Sequence, residues 1–135
     1  KAALTFLYLQ KGTPCIYYGT ELSLKGGPDP DCRRVMPWGR VSEDNDMLNF
    51  MKKLIRVRKE VASIIQHGAY SLEELKPAVL SLKWNYQGKE VQAIFNQSSE
   101  KHTLDRDSVD LASHCEQEDG QQVILPDGFV VTVSK

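Results

Sequence analysis

The stretch that decides the fold is Gly12-Thr13-Pro14-Cys15-Ile16-Tyr17-Tyr18-Gly19-Thr20-Glu21. Its apolar centre is short, bounded by breakers and without alternation, as in a strand covered on both faces. Before it, Ala2 to Leu9 is apolar nearly all round and ends in Gln10-Lys11-Gly12, a basic turn followed by a residue suited to a left-handed cap. The pattern predicts a well-buried helix closed at Gly12. Helix, glycine and doubly covered strand together are the grammar of an α/β fold. A single strand of this kind cannot make a parallel sheet by itself.

After the strand, Glu21 to Arg40 carries Gly26-Gly27-Pro28-Asp29-Pro30 and Pro37-Trp38-Gly39, too many breakers for regular structure. Long irregular segments inside compact domains are usually functional loops. Ser42-Glu43-Asp44-Asn45-Asp46 then offers caps and negative charge for a helix start. Met47, Phe50, Met51, Leu54, Val57 and Val61 follow at helical spacing. The basic residues between them read as a solvated face, and His67 before Gly68 as a helix end. Beyond Gly68 the period becomes two. Leu80, Leu82, Trp84 and Tyr86 share one face, Gln87-Gly88-Lys89 turns the chain, and Val91 to Phe95 returns. Asn96 to Glu100 is a polar turn, and the acid-rich Asp105 to Asp119 is expected as an exposed connection. Val123-Ile124-Leu125, Pro126-Asp127-Gly128 and Phe129 to Val133 are expected as a closing hairpin. The second half is thus predicted to be an antiparallel β-sandwich, with a boundary near Gly68.

Composition narrows the function. The 135 residues are 41% hydrophobic and 26% charged, a globular balance, with a net charge of −1 that lacks the basic excess of a nucleic-acid surface. No apolar run approaches the ~20 residues of a membrane span, and no secretory leader is evident. Cys15, Cys32 and Cys115 are widely spaced, without a C-x-x-C or a Cys/His cluster. Free thiols in a reducing, cytoplasmic compartment and no metal site are the expectation. His67, His102 and His114 have no ligand or nucleophile partner nearby in sequence. Lys1 in place of a starting Met suggests a piece of something longer.

The Gly12 to Glu21 segment, followed by Gly26-Gly27-Pro28-Asp29-Pro30-Asp31-Cys32-Arg33-Arg34-Val35-Met36-Pro37-Trp38, resembles the α-amylase family of glycoside hydrolases. The second block is most like the neopullulanase, cyclomaltodextrinase and maltogenic amylase branch, and Leu54 to Lys59 resembles the last helix of that family's barrel. The resemblance implies an α+β chain: residues 1–67 would be the last strand and helices of a catalytic (β/α)8 barrel, and residues 68–135 the C-terminal β-sandwich domain. It makes Asp29 and Arg33 the pair that hydrogen-bonds a glucose unit of an α-glucan or maltooligosaccharide, since a carboxylate and a guanidinium supply the acceptors and forked donors that sugar hydroxyls need. The alternative is an internal Asp29–Arg33 pair that only pins the loop. Glu21 and Trp38 are expected to brace the loop, and Tyr17 and Tyr18 to point to opposite faces. Retaining cleavage in that family needs an Asp nucleophile, a Glu acid/base and a further Asp from earlier strands. Their motifs do not occur here, so no catalytic residue and no cofactor is assigned and the chain alone is expected to be inactive. A sugar-binding or purely structural module, or part of an α-glucosidase, are the rival readings. Trp84 and Tyr86 could form a sugar platform, although sharing a face with Leu80 and Leu82 favours core. Cut free of its neighbours, Cys15 to Tyr18 should pair with a second copy, join the C-terminal sheet or abandon the strand state.

Overall fold

A computed structural model describes residues 1–104 and 109–134. The order is helix α1 (Ala2–Tyr8), an irregular stretch with three single 3-10 turns (Thr20–Leu22, Asp31–Arg33, Trp38–Arg40), helix α2 (Asp46–Glu60), and helix α3 (Ala62–His67). Strands β1 (Ala69–Lys76), β2 (Val79–Tyr86), β3 (Lys89–Asn96), β4 (His102–Leu104), β5 (Leu111–Glu118) and β6 (Gln121–Val133) follow. Among the described residues no helix is long and apolar enough to cross a membrane.

Helix α2 forms as its sequence requires. The Asn45 side chain accepts from the Leu48 amide at 2.8 Å, taking up one of the orphan donors of the first turn. Asp46 stands at the positive end of the dipole, with Arg58 and Lys59 at the negative end. Phe50, Met51, Leu54 and Val57 are buried on one stripe, while Lys52, Lys53, Arg56 and Lys59 are exposed. Helix α1 departs from expectation. It ends at Tyr8, three residues before the basic turn closes, and Gly12 takes its left-handed φ of 96° in the following loop. Only Thr5, Tyr8 and Leu9 of this stretch are buried, and Leu7 is exposed, so the helix rests on one face instead of being enclosed.

The strands build one antiparallel sheet in the order β1-β2-β3-β6-β4, with β5 on the other flank of β6. The Gln87–Gly88 turn has positive φ at both positions (51° and 78°), the twist that suits a two-residue hairpin. Three expectations are corrected here. The sandwich forms as a single curled, continuously hydrogen-bonded sheet and not as two stacked ones. The closing hairpin is one strand, β6. Its Pro126-Asp127-Gly128 segment is a bulge, because Ser113 pairs Phe129 while Cys115 already pairs Ile124. Proline's missing amide suits it to a bulge. At this corner β6 exchanges β4 for β3 as its neighbour. The expected exposed connection is instead largely strand β5, joined to β6 through Asp119–Gly120, again with φ positive at both. Residues 105–108 of that connection lie outside the described residues.

One hydrophobic core spans both halves of the chain. Tyr8, Leu9, Phe50, Leu54, Val57, Val61 and Ile65 from the helices meet Leu82, Trp84, Val91, Ala93, Phe95, Phe129 and Val131 from the sheet. A smaller cluster of Val79, Ile94, Leu104, Ile124 and Val130 fills the opposite, curled face. Trp84 is 2% exposed and donates from Nε1 to the Leu9 carbonyl, so the core reading of this residue holds and the platform reading does not.

Candidate functional site

The Cys15 to Tyr18 segment has left the strand state. Thr13 to Tyr17 is irregular, the chain turns at Tyr18 and Gly19, and none of these residues joins the sheet. Losing the strand removes its alternation, so Tyr17 and Tyr18 do not face opposite ways: their ring centroids lie 4.6 Å apart and both are exposed. Gly19 is required where it sits. Its φ is 84°, and a Cβ there would lie 2.6 Å from Leu24 Cδ2.

The loop beyond is held by two ion pairs. Arg33 donates to Asp29 Oδ1 from Nε at 2.8 Å and also from Nη2. Asp29 Oδ2 and Arg33 Nη1 make no hydrogen bond among the described residues, and both side chains are about two-thirds exposed (63% each). The pair therefore pins the loop and still offers an acceptor and a donor to solvent. Sequence reasoning missed the second pair, Arg34 with Asp31. It is a fork-to-fork contact, Nε to Oδ1 at 2.6 Å and Nη2 to Oδ2 at 2.7 Å. Interleaved spacings, Asp29 with Arg33 and Asp31 with Arg34, were the available signal. The Arg34 hydrogen bonds, outweighing partial desolvation, hold the Asp31 carboxyl below its ordinary value. The Tyr18 hydroxyl donates to the Arg34 carbonyl at 2.7 Å, tying the loop back to the chain that launches it.

Glu21 does turn inward, in a cavity of about 290 Å³ lined also by Ile16, Tyr18, Met51 and Ile55. Trp38, expected as a brace, is instead 72% exposed. The result is an exposed rim bearing two carboxylate–guanidinium pairs and three accessible aromatic rings. Such a set can hydrogen-bond adjacent hydroxyls and stack on the apolar face of a ring.

No family model matches the chain. Intracellular maltogenic amylase from Bacillus subtilis (strain 168) is 39% identical over 101 residues, covering 73% of this chain and 17% of its own. A cyclomaltodextrinase from Thermoanaerobacter pseudethanolicus is 36% identical over 104 residues, 77% of this chain and 18% of its own. A maltogenic amylase from S. marinus superposes with a TM-score of 0.76 at 29% identity, over 100% of this chain and 20% of that one. The chain belongs to the α-amylase family of glycoside hydrolases. It spans less than a fifth of the length of these curated relatives. Among the described residues of this family member, no group of three or more His, Cys, Asp or Glu side chains could hold a metal ion. All three cysteines are free.

Proposed function

We propose that the chain serves as the C-terminal part of an α-amylase-type glycosidase that hydrolyses or transfers α-1,4-glucans, of the neopullulanase and cyclomaltodextrinase type. Residues 1–67 then close a (β/α)8 barrel, and residues 68–135 form the sheet domain behind it. One observation carries this reading: the Bacillus subtilis maltogenic amylase matches 73% of this chain with only 17% of its own length. Barrel enzymes work at the C-terminal ends of their strands, so a loop leaving at Gly19 would overhang the cleft. Asp29 and Arg33 would bind a glucose unit on the non-reducing side of the cleaved bond through the donor and acceptor their mutual pairing leaves open.

Hydrolysis by this family takes a nucleophile and an acid/base working together, and loss of both removes essentially all chemistry. The chain alone is therefore expected to release no sugar from maltooligosaccharides or cyclodextrins; measurable turnover would refute its inactivity. In the assembled enzyme, Asp29→Asn with Arg33→Gln should raise KM more than it lowers kcat. An unchanged KM would remove both residues from the cleft.

Outside a barrel, the segment from Ile16 to Val41 exposes Tyr17, Tyr18, Val35, Trp38 and Val41. Exposed apolar side chains gathered into one patch favour self-association. Sedimentation of the chain should show a dimer that dissociates on dilution.

A further inference from the structure

Asp29 and Arg33 meet on an exposed loop, and their pairing occupies only part of each group. Asp29 Oδ1 accepts from Arg33 Nε at 2.8 Å, from Arg33 Nη2 and from the Cys32 thiol at 3.7 Å. Oδ2 and Arg33 Nη1 are left over. A pair that is 63% exposed on both sides contributes little order by itself and does not fix where its free atoms point. That direction has to be set from behind.

The neighbouring residues supply the backing. Asp31 and Arg34 alternate with Asp29 and Arg33 along the chain, and their fork is the two-bonded geometry in which a surface ion pair holds best. Asp31 also accepts from the Gly27 backbone, and its amide donates to the Pro28 carbonyl at 2.8 Å. The Arg34 carbonyl accepts from the Tyr18 hydroxyl, so the single turn Asp31–Arg33 is anchored at both ends. Gly26 and Gly27 lie against this turn. A Cβ at Gly26 would stand 3.1 Å from Cys32 Cα, and one at Gly27 would stand 2.7 Å from Asp31 Oδ2. Neither glycine has a positive φ, so close approach is what requires them. Asp31 Oδ2 is the oxygen that Arg34 Nη2 holds, so a side chain at position 27 fits only if the fork opens.

We propose that Gly27, Asp31 and Arg34 are positioning residues that preset Asp29 Oδ2 and Arg33 Nη1 to meet two neighbouring sugar hydroxyls, one donating and one accepting. The inference rests on the reading of Asp29 and Arg33 as sugar ligands. Presetting the pair lowers the ordering cost of binding without touching the sugar.

The test is steady-state kinetics of the assembled enzyme on a maltooligosaccharide. Arg34→Gln should raise KM about fivefold or more while kcat stays within about twofold of the parent. Arg34→Lys keeps the charge but cannot fork, and should match Arg34→Gln. Gly27→Ala removes no hydrogen-bonding group and should also raise KM. Added to Asp29→Asn with Arg33→Gln, the Arg34→Gln change should raise KM no further, because it acts only through that pair. Three outcomes overturn the proposal while the sugar reading stands: the pair variant raises KM but Arg34→Gln and Gly27→Ala do not; Arg34→Lys behaves as the parent; or Arg34→Gln has its full effect in the pair variant too. If the pair variant itself leaves KM unchanged, the sugar reading fails, and the positioning role falls with it.

Discussion

Trp84 Nε1 donates a 2.7 Å hydrogen bond to the carbonyl of Leu9, 75 residues earlier in the chain. Leu9 is fully buried, and Lys11 Nζ lies 5.3 Å from the Trp84 ring centroid. One side chain on β2 thereby supplies a partner for the end of helix α1, where backbone carbonyls lack partners within the helix. The contact joins the helical part of the chain to the sheet through a group that neither part could satisfy alone.

Trp84→Phe keeps most of the ring's burial and removes its donor. A buried acceptor deprived of its partner costs about 1–3 kcal/mol. Urea unfolding followed by circular dichroism should show that loss, together with faster proteolysis of the N-terminal helix. If the midpoint stays where it was, the two parts are held together by packing alone.

Gly68 marks where helix α3 gives way to β1, and the space there excludes any side chain. A Cβ would lie 2.9 Å from the Asn85 carbonyl oxygen and closer still to that of Ile64. Both obstacles are backbone, so neither can swing aside. Gly68→Ala should destabilise by about 1–3 kcal/mol through forced backbone shifts. Gly39→Ala is the control, because nothing lies within 4 Å of a Cβ there. Equal melting temperatures for the two variants would mean that the junction is looser than its geometry.

The sequence made some of this legible and hid the rest for identifiable reasons. Helix α2 could be read because cap, dipole and apolar stripe agree from Asn45 to Val61. The β2–β3 hairpin was equally plain, since Leu82 and Trp84 alternate with polar neighbours up to a glycine turn. Strand β1 was hidden because it is an edge strand exposed along nearly its whole length, with Glu73, Glu74 and Lys76 in place of an apolar face. Strand β5 was hidden in the same way, its acids outweighing the Asp119-Gly120 turn signal that follows it. Cys15 to Tyr18 shows the opposite failure. Its residues suit a strand, but a strand also needs neighbours to pair with, and the described residues supply none there. In the loop, the Asp29–Arg33 contact could be anticipated, whereas the Tyr18 tether spans 16 residues through a backbone carbonyl and leaves no mark in local pattern.

The Asp31–Arg34 fork makes the loop's order depend on pH in a definite direction. Hydrogen bonds from Arg34 are the main reason that the Asp31 carboxyl titrates below its ordinary 3.8; partial desolvation opposes them, while the Arg34 charge and a Gly27 backbone hydrogen bond assist. The folded loop thus favours the ionised form. Its contribution is complete above pH 3.8 and declines as the pH falls from there through the lower, folded value. Asp46, lowered by the Lys1 ammonium at 2.7 Å, provides an internal reference on a different element. Carboxyl-carbon NMR should find both aspartates titrating below 3.8 in the parent chain. In Arg34→Gln, Asp31 should return to the ordinary range while Asp46 stays low. Should Asp31 already titrate at 3.8 or above with Arg34 present, the fork does not persist in solution, and the rim carrying Asp29 and Arg33 is not held by it.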